Sequence, residues 1–294
     1  RNGFTVMKRS EVLGLITAPT KSICFSGTHG KTTTSSMAAH ALAVEGTGSN
    51  AFLGGVLRNY GSNLLLSADS PFSVVEADEF DRSFLRLYPD VAVVTSADAD
   101  HLDIYGTEEA YLESFAHFTE LIRPGGALLV HTGLKLKPRP GKDVHTYTYS
   151  RHEGDFHAEN IVTGNGTITF DFVYPGGRID GISLGVPVEI NIDNAIAAMG
   201  AVWIAGELTP EIARKAMSTF PGVERRFQVH LRQPGPHGKV VIDDYAHHPD
   251  ELASSIRSVR ALYPGRHLTV AFQPHLYTRT RDFAPQFALS LIHI

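Results

Sequence analysis

The chain has 294 residues, of which 43% are hydrophobic and 19% are charged, and its formal net charge is −5 at pH 7. This length is enough for two domains with cores, and the small negative charge argues against general binding of nucleic acid or of an anionic membrane. No apolar run reaches the roughly 18 residues that a membrane span requires, and the one cysteine, Cys24, excludes an internal disulfide. We therefore expect a globular protein of the reducing cytoplasm without a nucleic-acid or membrane partner, and these features leave its oligomeric state open.

The first half of the chain alternates between apolar strands and helices. The predicted elements, in chain order, are a helix near Ser10–Ile16, strand Lys21–Ser26, helix Thr32–Val44, strands Ser73–Ala77 and Val91–Thr95, helix Glu108–Arg123 and strand Ala127–His131. The strands carry β-branched residues on successive positions, which is typical of buried parallel strands. This alternation predicts an α/β fold with a doubly wound sheet.

The pattern changes after Val144, where short alternating runs such as Thr167–Val173 predict an antiparallel patch at the edge of the sheet. A second α/β unit begins after the turn at Pro221 and Gly222. The later predicted elements are helices Asn191–Gly206 and Pro210–Phe220, strand Val240–Asp243, helix Asp250–Tyr263 and strand Leu268–Phe272.

These elements divide the chain into three predicted parts. We interpret residues 21–222 as a central domain and residues 223–294 as a Rossmann-like α/β domain. The chain begins at Arg1 and ends in mid-pattern. We therefore expect residues 1–20 to be the tail of a preceding domain and the C-terminal domain to be truncated.

The strongest motif is a glycine-rich loop between a strand and a helix. It consists of Ser26, Gly27, Thr28, His29, Gly30, Lys31, Thr32 and Thr33. Such a loop binds phosphates through backbone N–H groups at a helix N-terminus, its lysine reaches the β- and γ-phosphates, and its hydroxyl holds Mg²⁺. Phe25 stands where the general P-loop pattern has its first glycine. A chance Gly-Lys-Thr turn is the alternative, and the coincidence of strand, loop, lysine and helix argues against it.

The run Gly-Thr-His-Gly-Lys-Thr-Thr-Thr resembles the ATP loop of the Mur ligases, whose glycines have this spacing. The resemblance implies that Gly27, Thr28, His29, Gly30, Lys31, Thr32 and Thr33 bind ATP with Mg²⁺ and that the central domain is the P-loop ATP-binding domain. It also implies that residues 1–20 are the tail of an N-terminal UDP-binding domain. Lys31 would be catalytic, because it neutralises charge on the transferred phosphoryl group.

Two acidic segments follow predicted strands. The first runs from Glu76 to Asp81, and a solvated acidic loop would explain it from the residues alone. It is similar to the E-A-D-E-x-D-x-S-F-L stretch of the family, which implies that Glu76 is a metal-binding carboxylate. The second covers residues 95–103. It resembles T-N-x-x-x-D-H-x-D of the family, which implies that His101 is a catalytic residue and the ligand of a second Mg²⁺. Ser96 replaces the usual asparagine there.

Three later motifs resemble nucleotide and substrate contacts of the family. Asn191 and Asn194 match H-N-x-x-N on the adenine side of ATP, with Ile190 in place of the histidine; from the residues alone, helix caps would explain them. Arg226 matches G-x-x-R-R-F at the domain hinge. In D-D-Y-x-H-H-P, Asp244 would lie near the ribose and His247 on the substrate side.

The run from Gln273 to Thr280 is similar to Q-P-H-x-x-T-R-T, which marks the alanine-adding branch of the family. It implies that His275 and Arg279 are catalytic and substrate-binding residues that face the muramoyl carboxylate and the acyl phosphate. An arginine suits a carboxylate because its donors form a fork. Leu276 stands where some members have a second arginine.

Together the motifs imply an ATP-dependent ligase that adds L-alanine to UDP-N-acetylmuramate through an acyl phosphate in peptidoglycan synthesis. One alternative is a sister ligase that recycles murein tripeptide onto the same sugar. An alternative of another class is a P-loop ATPase or a non-catalytic nucleotide-binding module. Release of ADP that depends on an acceptor would separate the ligases from the ATPase.

Overall fold

The computed structural model describes residues 6–44, 46–98, 102–164, 166–233, 235, 238–274 and 277–292. Its centre is a seven-stranded sheet in the order β3-β2-β4-β1-β5-β6-β7. The strands are β1 Lys21–Ser26, β2 Asn50–Leu57, β3 Ser62–Leu65, β4 Phe72–Glu76, β5 Val91–Val94, β6 Ala127–His131 and β7 His145–Tyr149. All neighbouring strands are parallel except β2 and β3. The predicted doubly wound α/β sheet is confirmed.

Helices cover both faces of this sheet. They are α1 Arg9–Thr17, α2 Lys31–Val44, α3 Leu102–Tyr105, α4 Glu108–Glu120, α5 Ile190–Ile204 and α6 Pro210–Thr219. Because side chains of a strand alternate between faces, Ile23 and Phe25 of β1 join the core under α2 and α5, whereas Cys24 joins the core under α4. Both cores are closely packed, so the ends of the central strands are held in fixed positions.

An antiparallel sheet of three strands, β8 His157–Gly164, β9 Thr167–Tyr174 and β10 Gly177–Ser183, lies beside the main sheet. It confirms the antiparallel patch predicted for this part of the chain. Its inner face packs aromatic rings, including Phe156 against Phe172 and Trp203. Strand β7, which precedes these three strands in the chain, belongs to the main sheet, where it pairs in parallel with β6.

The C-terminal region, residues 223–292, is smaller. It contains β11 Gln228–Arg232, β12 Val240–Asp243, α7 Pro249–Leu262, α8 Tyr277–Asp282 and α9 Ala284–Ile292. Its own core is built on Leu252, Ile256 and Phe287. Among the described residues, no helix has the length and hydrophobicity needed to cross a membrane.

The predicted strand Leu268–Phe272 is wrong, because this segment has no strand or helix. Leu268, Val270 and Phe272 are half-buried against the small core, and the residues between them are exposed. The segment therefore keeps the alternation that suggested a strand. A strand also needs a hydrogen-bonded neighbour. The nearest candidate in the chain, β12, pairs with β11 and not with this segment.

Candidate functional site

The glycine-rich loop lies at the carboxyl end of β1, where ligands bind in doubly wound sheets. Gly27 has φ +139°, and a Cβ there would lie 2.2 Å from Thr95 Oγ1 and 2.8 Å from the Ser96 backbone nitrogen. Gly30 has φ +85°, and a Cβ there would lie 2.9 Å from Asn194 Oδ1. Both glycines are therefore required by close contacts as well as by backbone conformation.

The segment after β5 anchors the loop. The His29 backbone N–H donates to Ser96 Oγ at 2.7 Å, and the Thr28 hydroxyl donates to the Asp98 carbonyl at 2.7 Å. Thr95 Oγ1 donates to the Ser26 carbonyl at 3.1 Å. Ser96 thus supplies a side-chain contact to the loop.

Lys31 begins α2 and points into the loop. Its Nζ donates to the Gly27 carbonyl at 2.6 Å and lies 2.7 Å from Glu79 Oε2. Glu79 is only 1% exposed. Burial raises the pKa of the Glu79 carboxyl, and the neighbouring Lys31 ammonium opposes that shift. The loop lysine is therefore paired with a buried carboxylate that lies just beyond β4.

Two adjacent glycines of β2 lie against the side chains of Glu76 and Thr32. The Gly54 backbone N–H donates to Glu76 Oε2 at 2.8 Å, and a Cβ on Gly54 would lie 2.4 Å from both carboxylate oxygens. A Cβ on Gly55 would lie 3.1 Å from Thr32 Cγ2. A hydroxyl and a carboxylate are hard oxygen donors of the kind that Mg²⁺ prefers. Within the described part of the chain, no cluster of three or more histidine, cysteine or acidic residues is arranged to hold a metal ion.

Asn191 and Asn194 lie in the first turn of α5 and are buried. Asn194 Nδ2 donates to Asn191 Oδ1 at 2.9 Å, and Asn194 Oδ1 accepts from the Thr34 hydroxyl at 3.1 Å. They are not caps, since Glu189 occupies the N-cap position. The two asparagines link α5 to the start of α2.

A network of ion pairs around Asp193 holds the first turn of α5 in place. Asp193 accepts from the Arg151 backbone N–H and from its Nε, both at 2.8 Å, and lies 3.7 Å from His131 Nε2. Burial alone would raise the pKa of Asp193, but His131 and the Arg151 guanidinium hold it below its ordinary value. The neighbouring Asp193 carboxylate raises the pKa of His131.

Residues of the C-terminal region face the loop. Asp244 follows β12 and accepts hydrogen bonds from the Ser255 hydroxyl and, at 3.4 Å, from the Phe227 backbone N–H. Burial raises its pKa, against the effect of these hydrogen bonds. The guanidinium of Arg226 lies 5.7 Å from the centre of the Tyr245 ring, which is a cation–π distance.

Glu251, near the start of α7, joins the two regions. Its Oε1 lies 3.6 Å from Nδ1 of His29 in the loop, and its Oε2 lies 3.3 Å from Nδ1 of His247. Burial would raise the pKa of Glu251, but the nearby His29 imidazole and the hydrogen bond from the His247 backbone N–H lower it to about 2. The nearby Glu251 carboxylate raises the pKa of His29. His247 is therefore oriented by Glu251.

A cavity of about 260 Å³ separates the loop from the C-terminal region. Its walls include the loop, the asparagines of α5 and polar groups of the C-terminal region, and its apolar lining comes from Val186, Val188, Phe220, Val223 and Phe227. A larger hollow of about 960 Å³ lies between β12, α7 and residues 266–274. No residue of the glycine-rich loop lines the larger hollow, so the smaller cavity is the better candidate for a nucleotide site.

The structure brings most of the sequence-predicted residues to this cavity or beside it. His29, Gly30, Thr33, Asn191, Asn194, Arg226 and Asp244 line the cavity. Gly27, Thr28, Lys31 and Thr32 belong to the loop itself, Glu76 ends β4, and His247 lines the neighbouring hollow. His101 and His275 lie outside the described residues, as does the side chain of Arg279, whose backbone is in α8.

Sequence reasoning missed two residues of the site, Glu79 and Glu251. Glu79 stands in the acidic run after β4, and only the three-dimensional contact with Lys31 separates it from the solvated acids around it. Glu251 has a local signal, since it is the third residue of α7 and its Oε2 accepts from the His248 backbone N–H as part of a capping box. That signal indicates a helix start and says nothing of His29.

Comparison with known proteins gives matches along nearly the whole chain. Residues 25–202 match the family model described as Mur ligase middle domain, and residues 225–293 match Mur ligase, glutamate ligase domain. UDP-N-acetylmuramate–L-alanine ligases of Phocaeicola vulgatus and Parabacteroides distasonis are 57% and 58% identical over 291 residues. Each match covers 99% of this chain and 62% of the relative, so the chain spans less than two thirds of their length.

A solved structure is also similar. The UDP-N-acetylmuramate–alanine ligase of Thermotoga maritima superposes with a TM-score of 0.79 at 26% identity, covering 94% of this chain and 60% of the other. The fold, the loop and the matches to two consecutive family models agree. The chain belongs to the Mur ligase family.

Proposed function

We propose that the protein carrying this chain is an ATP-dependent ligase that joins L-alanine to UDP-N-acetylmuramate in cytoplasmic peptidoglycan synthesis. The observation that carries the proposal is the cavity of about 260 Å³ with the glycine-rich loop on one side and Asp244 on the other. The identity of 57% to a relative with that printed name supports the choice of sugar and amino acid.

ATP would occupy the cavity with its phosphates on the loop from Gly27 to Thr33. The apolar lining suits a purine ring, and the half-buried carboxylate of Asp244 suits a ribose hydroxyl. Asn191 and Asn194 would contact the adenine side, and Arg226 would face the phosphates. We place the boundary between the ATP-binding domain and the ligase domain at residues 222–223.

Mg²⁺, when bound, would neutralise charge on the phosphates. Thr32 and Glu76 would hold it, and the hydrogen bond by which the Gly54 backbone N–H positions the Glu76 carboxylate supports this assignment. By the family pattern, His101 would hold a second ion. The residues described here fit one hard cation beside the loop.

The reaction would take place in two steps. The muramoyl carboxylate attacks the γ-phosphorus of ATP, which gives an acyl phosphate and ADP. The amine of L-alanine then attacks the acyl carbon, phosphate leaves, and an amide forms. Lys31 would neutralise the developing charge in the first step, and His247, His275 and Arg279 would orient the carboxylate and the acyl phosphate.

Release of ADP by the full-length protein tests this function. With ATP, Mg²⁺ and UDP-N-acetylmuramate, we expect release that also requires L-alanine, and we expect Lys31→Ala to reduce it by at least about 100-fold. Lys137→Ala, which removes an exposed lysine of the same region, should leave the rate unchanged. Dependence on murein tripeptide would instead indicate the recycling ligase, and release without any acceptor would indicate an ATPase.

A further inference from the structure

The ion pair of Lys31 and Glu79 is enclosed by the protein, with side-chain exposures of 13% and 2%. Lys31 donates to the Gly27 carbonyl and to Glu79 Oε1, so two of the three N–H donors of the ammonium are directed inward. Glu79 Oε2 lies 2.7 Å from the same nitrogen but receives no well-directed hydrogen bond from the described residues. A phosphate that binds the loop must therefore compete with Glu79 for Lys31.

The backbone after β4 is shaped to turn Glu79 inward. The Glu79 carbonyl accepts hydrogen bonds from the Tyr105 hydroxyl and from the Arg82 backbone N–H. Asp81 and Arg82 have φ of 52° and 55°, which non-glycine residues adopt at a cost of about 1 kcal/mol each. The guanidinium of Arg82 lies 4.6 Å from the centre of the Tyr105 ring and holds this turn. A solvated acidic loop would need none of these contacts.

We propose that Glu79 is a positioning residue that holds Lys31 inside the free loop and releases it when nucleotide phosphates arrive. This inference rests on the proposed nucleotide binding. In the free loop Glu79 balances the lysine charge, so the loop keeps its shape without a ligand. A ligand must supply enough negative charge at the β- or γ-phosphate position to draw Lys31 away, which favours ADP and ATP over AMP.

Binding of ADP to the full-length protein, measured by calorimetry in excess Mg²⁺, tests the inference. Glu79→Gln keeps an acceptor oxygen and removes the charge that competes for Lys31. We expect it to tighten ADP binding by about tenfold, with a much smaller change for AMP. Asp81→Asn removes a nearby, more exposed carboxylate and should leave both affinities unchanged. Unchanged or weaker ADP binding in Glu79→Gln would overturn the inference.

A double-mutant cycle separates release of the lysine from simple repulsion between Glu79 and the phosphates. If Glu79 acts through Lys31, Glu79→Gln changes ADP affinity little when Lys31 is replaced by methionine. An equal tightening in both backgrounds would show repulsion alone and would also overturn the inference. If Glu79→Gln does not fold, Glu79→Asp, which withdraws the carboxylate, should tighten ADP binding to a smaller extent. Absence of ADP binding by the wild-type protein would count against the proposed function itself.

Discussion

The two walls of the cavity differ in how they are supported. The loop wall stands on the carboxyl ends of parallel strands. Thr95 donates a hydrogen bond to it, and Ser96 and Asn194 accept hydrogen bonds from His29 and Thr34. The C-terminal wall stands on two short strands and α7, over a core built on Leu252, Ile256 and Phe287. The loop wall therefore rests on the two large cores of the main sheet, whereas the C-terminal wall has only a small core of its own. A nucleotide that touches both walls would join them.

Gly27→Ala should break the loop wall most severely. A Cβ there meets Thr95 and the Ser96 backbone at 2.2 and 2.8 Å, so the loop must move away from its anchors. We expect ADP affinity in calorimetry to fall by about 100-fold, because overpacking of this kind costs about 1–3 kcal/mol and displaces the N–H groups that we propose bind the phosphates. Gly125→Ala is the control, since Gly125 also has a positive φ but has open space around it. An equal loss of affinity in the control would contradict the steric explanation.

Arg151→Met should weaken the loop wall from behind. It leaves Asp193 buried with His131 as its remaining partner, so we expect the free energy of unfolding to fall by about 2 kcal/mol in a urea titration. Arg139 forms its ion pairs on the surface, where its side chain is 46% exposed. Arg139→Met should therefore cost about 0.5 kcal/mol. Similar losses in the two variants would mean that the network around Asp193 does not support α5.

Gly54→Ala should act on the side of the loop wall where we propose that Mg²⁺ binds. The added methyl group would displace the Glu76 carboxylate, which the Gly54 backbone N–H now holds. Mg²⁺ should tighten ADP binding, and we expect the Mg²⁺ concentration that gives half of this effect to rise by about tenfold in the variant. ADP binding in the absence of Mg²⁺ should change little. Gly164→Ala, in β8, places a methyl group in open space and should change neither. Loss of metal-free ADP binding would indicate damage to the loop instead.

The sequence predicted the loop wall better than the C-terminal wall, because periodicity records local structure. β1, the glycine-rich loop and α2 follow one another in the chain, and their bounds agree with prediction to within one residue. β2 was missed because Gly54 and Gly55 lower strand propensity; its pairing with β4 overrides that. The segment Leu268–Phe272, expected to be a strand, alternates between half-buried and exposed residues but has no hydrogen-bonded neighbouring strand.

The motifs identified those site residues that belong to short runs of sequence. They could not identify Glu79 as the partner of Lys31 or Glu251 as the partner of His29, because each pair joins distant parts of the chain. Such pairs arise from the order of strands in the sheet and from the packing of the C-terminal region. Neither leaves a periodic pattern in the sequence.

The contact between His29 and Glu251 joins the walls, and its strength should depend on pH. The pKa of His29 is raised above its ordinary value of 6.5, so the protonated form stabilises the contact fully below about pH 6.5 and the contribution is lost as pH rises through the raised pKa. The pKa of Glu251 is lowered from 4.5 to about 2, so its contribution is present above about pH 4.5 and is lost only in strong acid. The contact should therefore weaken on the alkaline side of neutrality.

Hydrogen exchange at the first turn of α7 would measure this effect. After correction for the intrinsic rate, we expect protection to fall by a few-fold between about pH 6 and about pH 8.5, because the pair is separated by 3.6 Å and His29 is 46% exposed. His29→Gln should remove the pH dependence and leave the capping of α7 by Glu251 in place. His247→Gln is the matched control, since His247 contacts the other oxygen of Glu251 within the C-terminal region. If His247→Gln removes the dependence and His29→Gln does not, the titration belongs to the C-terminal region alone, and the two walls are joined by the nucleotide and the hinge rather than by this pair.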